Sequence, residues 1–412
     1  MHSVVPGNST PRRATVNPHL VERPERGILA PMHDVIVVGG GVVGATVAYL
    51  CAREGLKTLL VDRTDAGRAT DAGAGIISPG TSTRNETLFD LGLRSAAYYP
   101  TLLAHLEEDG GGDTGYAVCG DLRVAVKDDE LAPFLALVAL LDERRALHGR
   151  PTADEVSEIA PEEARELFPP LARPLRAMLD RAAARVDGRL LNQALLKAAA
   201  RRDVAVVRAG VDRVLVEGGR VAGIASGADT HVAGSVVIAG GAWSPALAGP
   251  LGLSVAVAPQ RGQIIHMHLP GQPTGNWPVV HGFHDHYIVT WGGGRVVAGA
   301  TRETGSGFDP RVTAGGVHAV LGEALRVAPG LAGANMLETR VGLRPLSADG
   351  LPVLGRVPGV AGAYVATGHG PSGLTLGPYS ARVVADLVLG RVPDLDLAPF
   401  RADRFHATPR VT

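Results

Sequence analysis

Gly39, Gly41 and Gly44 stand at G-x-G-x-x-G spacing, and an acid, Asp62, closes the stretch DVIVVGGGVVGATVAYLCAREGLKTLLVD. Residues of these types at this spacing can hold an adenosine dinucleotide. Gly39 allows a tight turn, Gly41 lets the backbone approach a pyrophosphate, and Gly44 lets a helix lie close to a strand. The Asp62 carboxylate can accept hydrogen bonds from both hydroxyls of a ribose. The pattern does not choose between NAD and FAD. Further along, Gly73, Ala74 and Gly75 form a small-residue loop whose backbone amides can pass close to a ligand. The Gly240-Gly241 pair follows an apolar strand and can pass near the same dinucleotide. His281, His284 and His286, with Asp285, invite a metal reading, but a metal site needs a third converging ligand and an ordered second layer, and none is expected. The acids Asp154, Glu155, Glu158, Glu162, Glu163 and Glu166 read as a solvated face.

The elements that must position these residues follow from periodicity. Asp34–Val38 is a β-branched run suited to a buried parallel strand. A helix from Val42 to Glu54 carries Val43, Val47 and Leu50 at helical spacing, Gly55 stops it, and residues 57–61 form the next strand. Glu86–Glu108 reads as an amphipathic helix, residues 116–127 as strands, residues 128–167 as mostly helical with Pro151 and Pro161 at helix starts, and residues 184–202 as another helix. Short strands at 204–207, 211–217 and 220–226 follow, the last two joined by a Gly218-Gly219 hairpin turn. From residue 256 onward, runs broken by Gly and Pro predict a mixed or antiparallel sheet, with one helix at Ala314–Val327. The last unit, residues 363–389, is again strand, glycine loop and helix. A dinucleotide domain is thus entered three times, with other sequence between the visits.

Composition narrows the class. The 412 residues allow two lobes, and 45% hydrophobic with 20% charged residues is ordinary for a globular protein. Forty Lys and Arg against 41 Asp and Glu leave no field that would favour nucleic acid or an anionic membrane. The longest apolar run, around Leu131–Leu141, is too short to span a bilayer. Cys51 and Cys119 make no disulfide framework, so a reducing cytoplasm is expected. Residues 1–32, with several Pro and Arg and no period, read as a disordered extension.

Beyond residue 32 the chain resembles the D-amino-acid oxidase-like flavoproteins, the group of glycine oxidase, sarcosine oxidase and D-amino-acid dehydrogenase. The carriers are the stretch above, AGAGIISPG, VVIAGGAWSPAL, PQRGQ, VAGATRE, GLRPLSADGLPVLG and ATGHGPSGLTLGP, in that order. The resemblance implies an α/β fold: a Rossmann-like FAD domain built from discontinuous segments (33–95, 180–255 and 340–400) and an α+β substrate domain with a mixed or antiparallel sheet (96–179 and 256–339). It implies non-covalent FAD, held by Gly39, Gly41, Val42, Val43, Gly44, Asp62, Arg63, Ala74, Gly75, Ile76, Val211, Gly240 and the loop Gly368, His369, Gly370, Ser372, Gly373, Leu374 and Thr375. The helix after that loop would support negative charge on the reduced flavin.

The resemblance also implies oxidation of a small amino acid or secondary amine. Hydride passes from the α-carbon to flavin N5, and the imine hydrolyses; oxygen or an electron carrier is the acceptor. Arg344, in GLRP, matches the arginine that pairs with the substrate carboxylate, and Tyr287 matches a tyrosine that contacts substrate. His369 is a candidate contact to flavin or substrate. Two departures stand out. Pro371 replaces an arginine found in glycine oxidase, and Arg302 follows Thr301 where a neutral residue is common. Arg302 would favour an acidic or larger substrate by facing the pocket, or else pair with Glu303 or Glu338. The rival readings are an NAD-dependent dehydrogenase and a non-catalytic flavin-binding subunit of a larger complex. A homo-oligomer is compatible with all of them.

Overall fold

The computed structural model describes residues 32–405, so the expected disordered extension, Met32 excepted, lies outside the described residues. Two large sheets organise these residues. The first has eight strands. Its parallel heart runs Ala205–Val207, Thr58–Val61, His33–Val38, Asp229–Ile238 and Ala363–Thr367. Val353–Arg356 closes one edge antiparallel, and the hairpin Arg213–Glu217 with Arg220–Ser226 pairs with the outer half of Asp229–Ile238. Strand periodicity divides the core between two layers. Val35 and Val37 face one way, against the helices Val42–Arg53, Gly188–Arg201 and Gly373–Val388. Ile36 and Val38 face the other, against the hairpin and residues 247–257. The helix Val42–Arg53 is buried on almost every side, in keeping with its largely apolar composition.

The second sheet has nine strands and is mixed, as the sequence predicts. Val257–His268 is its spine. Asn335–Ser347 pairs along nearly all of it, placing Gln260 opposite Arg344 and Gly262 opposite Gly342. On the other side come Arg295–Gly299, Tyr287–Thr290 and Val279–His281, then Asp121–Ala125, Arg176–Asp180 and Val156–Ile159. The single parallel step in that series is Val279–His281 beside Asp121–Ala125. The helix Ala314–Val327 covers one face, with Phe168 and Trp277 in the same core. The opposite face is turned toward the loop 69–77, where Tyr287 and Trp291 pack with Ala74 and Ile76.

The helices Glu86–Glu108 and Ala314–Val327 have their expected bounds. Several expectations need correction. Within 128–167, Leu131–His148 and Pro161–Leu167 are helical, but Val156–Ile159 is a strand whose Val156 and Ile159 enter the core beside Arg176–Asp180. Pro151 accordingly sits before a turn and not at a helix start, whereas Pro161 does open a helix. The helix expected from 184 begins at Gly188, because the Asp187 carboxylate accepts from the amides of Arg189 and Leu190 and caps it there. Ala184–Arg185 instead pairs with Ile76–Ile77 and Ala117–Val118. The helix Glu86–Glu108 bridges the segment break expected at 95, and its Tyr99, Leu102 and Leu106 share the core of the first sheet. Asn335–Ser347 lies wholly in the second sheet, so the strand that opens the expected FAD segment 340–400 belongs to the sheet of the other lobe.

Candidate active site

One long cavity runs from the first glycine turn to the second sheet. At its first end the strand His33–Val38 delivers the turn and Gly41 stands at the N-cap of the helix Val42–Arg53, with no side-chain cap. The Val42 amide donates to Thr70 Oγ1 at 3.0 Å, so the loop 69–77 is pinned against the helix start. The remaining first-turn amides and the positive end of the helix dipole make this a place for a pyrophosphate. Gly44 is held to glycine by packing: a Cβ there would lie 1.9 Å from the Gly39 carbonyl oxygen. Asp62 stands at the end of its strand. Its Oδ2 accepts from Arg68 Nη1 at 3.0 Å, and Arg68 also reaches the Gly40 carbonyl oxygen at 2.8 Å. Asp62 Oδ1 has no hydrogen bond among the described residues, which leaves it to accept from a ribose.

Midway, Ala74, Gly75 and Ile76 line one side of the cavity, and Gly240, Gly241 and Trp243 another. Val42, Val43, Arg63 and Val211 line the nucleotide half. At the far end His369, Gly370, Pro371, Gly373, Leu374 and Thr375 approach from the start of the last helix. Thr375 Oγ1 donates to the Ile76 carbonyl oxygen at 2.7 Å, tying that helix to the loop 69–77. His369 is 4% exposed, and its buried Nε2 has no hydrogen-bond partner among the described residues. Burial alone pushes its pKa down to about 4, so the ring is neutral at physiological pH. Of the expected cofactor residues, Gly44, Gly368 and Ser372 do not line the cavity. Gly44 packs the helix, Gly368 sits against Val353 and Ser347, and Ser372 stands at the N-cap of the last helix.

The far wall belongs to the second sheet. Arg344 rises from Asn335–Ser347 and lies across Gly262 of the paired strand, where a Cβ would come within 2.4 Å of its Cζ. Arg344 Nη1 donates to the Thr301 carbonyl oxygen at 2.8 Å and is 3.5 Å from Gln260 Oε1. It forms no ion pair with a carboxylate among the described residues. The nearby Glu303 is committed to Arg261, Gln263 and Thr301. Burial lowers the Arg344 pKa, but a guanidinium stays charged in proteins. Tyr287 lies beside it, its ring laid over Gly299 of the neighbouring strand, where a Cβ would be 2.7 Å from the hydroxyl. Burial raises the Tyr287 pKa, so the phenol keeps its proton.

Arg302 lines the same end of the cavity. It pairs with neither Glu303 nor Glu338, which take Arg261 and Arg340; its contact is Asp285 Oδ1 at 3.4 Å. The three histidines near 284 diverge. His281 Nδ1 meets Asp121 at 2.7 Å, His284 meets Glu323 and Asp129, and His286 Nδ1 meets the His284 carbonyl oxygen. Among the described residues no group of three or more His, Cys, Asp or Glu could hold a metal. Sequence reasoning missed Arg68, Thr70 and Gly262. Arg68 and Thr70 sit in a loop without period, and Gly262 gains its meaning only from the strand register.

These features fit FAD. The cavity begins at backbone amides and the Asp62 carboxylate, continues along glycine-rich backbone, and ends near the buried His369, whose Nε2 has no partner among the described residues. The comparisons agree. Residues 34–387 match the model of the FAD dependent oxidoreductase family. An uncharacterised oxidoreductase of Bacillus subtilis, YurR, is 42% identical over 374 residues, covering 90% of this chain and 98% of its own. The glycine oxidase of Geobacillus kaustophilus is 32% identical over 386 residues, covering 90% of this chain and 97% of its own. Among solved structures, iminodiacetate oxidase from Chelativorans sp. BNC1 superposes with a TM-score of 0.84 at 38% identity, covering 89% of this chain and 98% of its own. A match spanning most of the chain, on a cavity built for the same cofactor, places this protein in the family of FAD-dependent oxidoreductases.

Proposed function

We propose that this flavoenzyme oxidises a small amino acid or secondary amine whose reacting carbon bears a carboxylate. The observation that carries the reading is Arg344: a half-buried cation without a carboxylate partner among the described residues, at the end of the cavity away from the pyrophosphate turn. Its planar fork suits two parallel hydrogen bonds to a carboxylate. The Thr301 carbonyl fixes the guanidinium before substrate arrives, which lowers the ordering cost of binding. The relatives point the same way, since the names glycine oxidase and iminodiacetate oxidase both describe amines that carry carboxylates.

Asp62 would hold the ribose, the first turn at Val42 and Val43 the pyrophosphate, and the backbone of 74–76 and 370–375 the flavin. When bound, FAD supplies the acceptor for the two electrons of the substrate C–H bond. Neither Cys51 nor Cys119 lines the cavity, which supports attachment without a covalent bond. Tyr287 offers its hydroxyl beside the carboxylate site. His369 is neutral, too weak a base to take a proton from an ammonium, and serves as a hydrogen-bonding wall. The carboxylate that does line this end, Asp285, is largely exposed. The substrate amine must therefore shed its proton to water before it reacts, and kcat/KM should climb with pH until the amine is neutral. Oxygen or an electron carrier takes the electrons onward, and a cytoplasmic setting remains our expectation. No helix among the described residues is long and apolar enough to cross a membrane.

The test is a purified protein that is yellow, releases its flavin on acid precipitation, and bleaches without oxygen when one amine of a carboxylate-bearing panel is added. A yellow protein that no such amine bleaches would sink the reading.

A further inference from the structure

The substrate end of the cavity has more positive charge than one carboxylate needs. Arg302 and Arg344 both line it, together with Tyr287. They are joined through the backbone: Arg344 donates to the carbonyl of Thr301, the residue before Arg302. The protein does little to neutralise Arg302. Its carboxylate contact is Asp285, at a long 3.4 Å, and the Asp285 side chain is 76% exposed. A third cation, Arg84, lies near Arg302 and Asp285, and its side chain makes no hydrogen bond or ion pair among the described residues. The other acids of this region are already taken. Glu303 holds Arg261, Asp121 holds His281 and Ser78, and Glu130 holds Arg326. Arg302 and Arg84 therefore share one loosely held carboxylate, and Arg344 beside them has no ion-pair partner among the described residues. Cations left together in a partly buried place repel each other, and an anion supplied from outside relieves that repulsion.

We infer that the substrate carries two carboxylates, one received by Arg344 and the other by Arg302, and so is a dicarboxylic amine or an acidic amino acid. The inference rests on the reading of Arg344 given above and extends it. Arg302 is the residue that sets specificity, and Arg84 adds to the field that draws in the second carboxylate. Asp285 competes with that carboxylate for Arg302. Removing its charge should strengthen binding of a diacid without helping a monoacid.

Unreactive probes separate the two readings. Glutarate has two carboxylates on a five-atom chain, butyrate has one, and neither contains an amine to oxidise. Each is titrated into the yellow holoenzyme at constant ionic strength, following perturbation of the flavin absorbance and, independently, the heat of binding. Glutarate should bind about tenfold or more tighter than butyrate, the scale of one additional hydrogen-bonded ion pair. Arg302→Gln should erase that advantage with little change for butyrate. Asp285→Asn should widen it, and Arg344→Met should weaken both ligands. Equal affinity for the two acids, or a glutarate preference that survives Arg302→Gln, overturns the inference. If butyrate binds and loses affinity in Arg344→Met while glutarate gains nothing, the two-carboxylate inference falls and the carboxylate role of Arg344 stands. If neither acid responds to Arg344→Met, both fall.

Discussion

The two ends of the cavity are built on different principles. The nucleotide end is centred on a contiguous stretch, residues 38–62, with Arg68, Thr70 and Val211 beside it, and presents mostly backbone: amides at a helix start, glycines that bring chain close to chain, and one carboxylate. The end we propose for substrate presents side chains: Tyr287 and Arg344 from strands far apart in sequence, and Arg302 from the connection that follows the strand Arg295–Gly299. Backbone recognition is encoded locally and suits a ligand that many proteins share. Side-chain recognition is encoded by pairing, and it can change its ligand one residue at a time.

That contrast can be broken in graded steps. The largest effect should come from Gly44→Val. The side chain would collide with the Gly39 carbonyl, and the protein should be recovered without flavin, read as the ratio of absorbance near 450 nm to that near 280 nm. Next, Arg344→Met should keep its flavin but lose roughly a hundredfold or more in kcat/KM, because a half-buried charged partner is removed from the proposed ligand carboxylate. If flavin content fell with activity, the two ends would not be separable. Asp62→Ala should show the reverse pattern. FAD affinity, measured by titration of the stripped protein, should drop about tenfold, while kcat at saturating FAD stays unchanged.

The smallest effect lies beneath the substrate end. Burial and the neighbouring Asp121 charge push the Asp180 carboxyl up to about 7. The native state then keeps a proton that the unfolded chain has released above about pH 4. Stability falls across that window as pH rises, and the loss is complete above pH 7. Asp180→Asn has no proton to lose. It should melt about 2–4 °C above the parent at pH 8 and close to it at pH 4, with flavin content unchanged. A variant less stable than the parent at pH 8 would show that the charged form of Asp180 is favoured in the native state.

Legibility in the sequence follows the same divide. Asp34–Asp62 could be read because strand, turn, helix and acid each leave a local mark. The helices Glu86–Glu108 and Ala314–Val327 could be read from their periodicity. Val156–Ile159 was hidden among helix-like neighbours because a short strand needs its partner, Arg176–Asp180, to show itself. Arg344 and Tyr287 were found through a resemblance and not through spacing. Nothing in the local sequence of Gly262 or Gly299 shows which side chain lies over it, since each is defined by the residue that a neighbouring strand places there.

Those two glycines carry a consequence for anyone who re-engineers this protein. Gly262 sits inside a strand and Gly299 ends one, positions where a residue with a side chain would ordinarily be more stable, by roughly 0.5–1 kcal/mol for alanine alone. A stability-guided redesign would fill them first. Doing so would push Arg344 and Tyr287 off the sheet and, at Gly299, crowd Ile264 as well, so the expected propensity gain would be lost to strain while the proposed substrate contacts were destroyed. Here the empty space under a side chain is as much a part of the active site as the side chain itself.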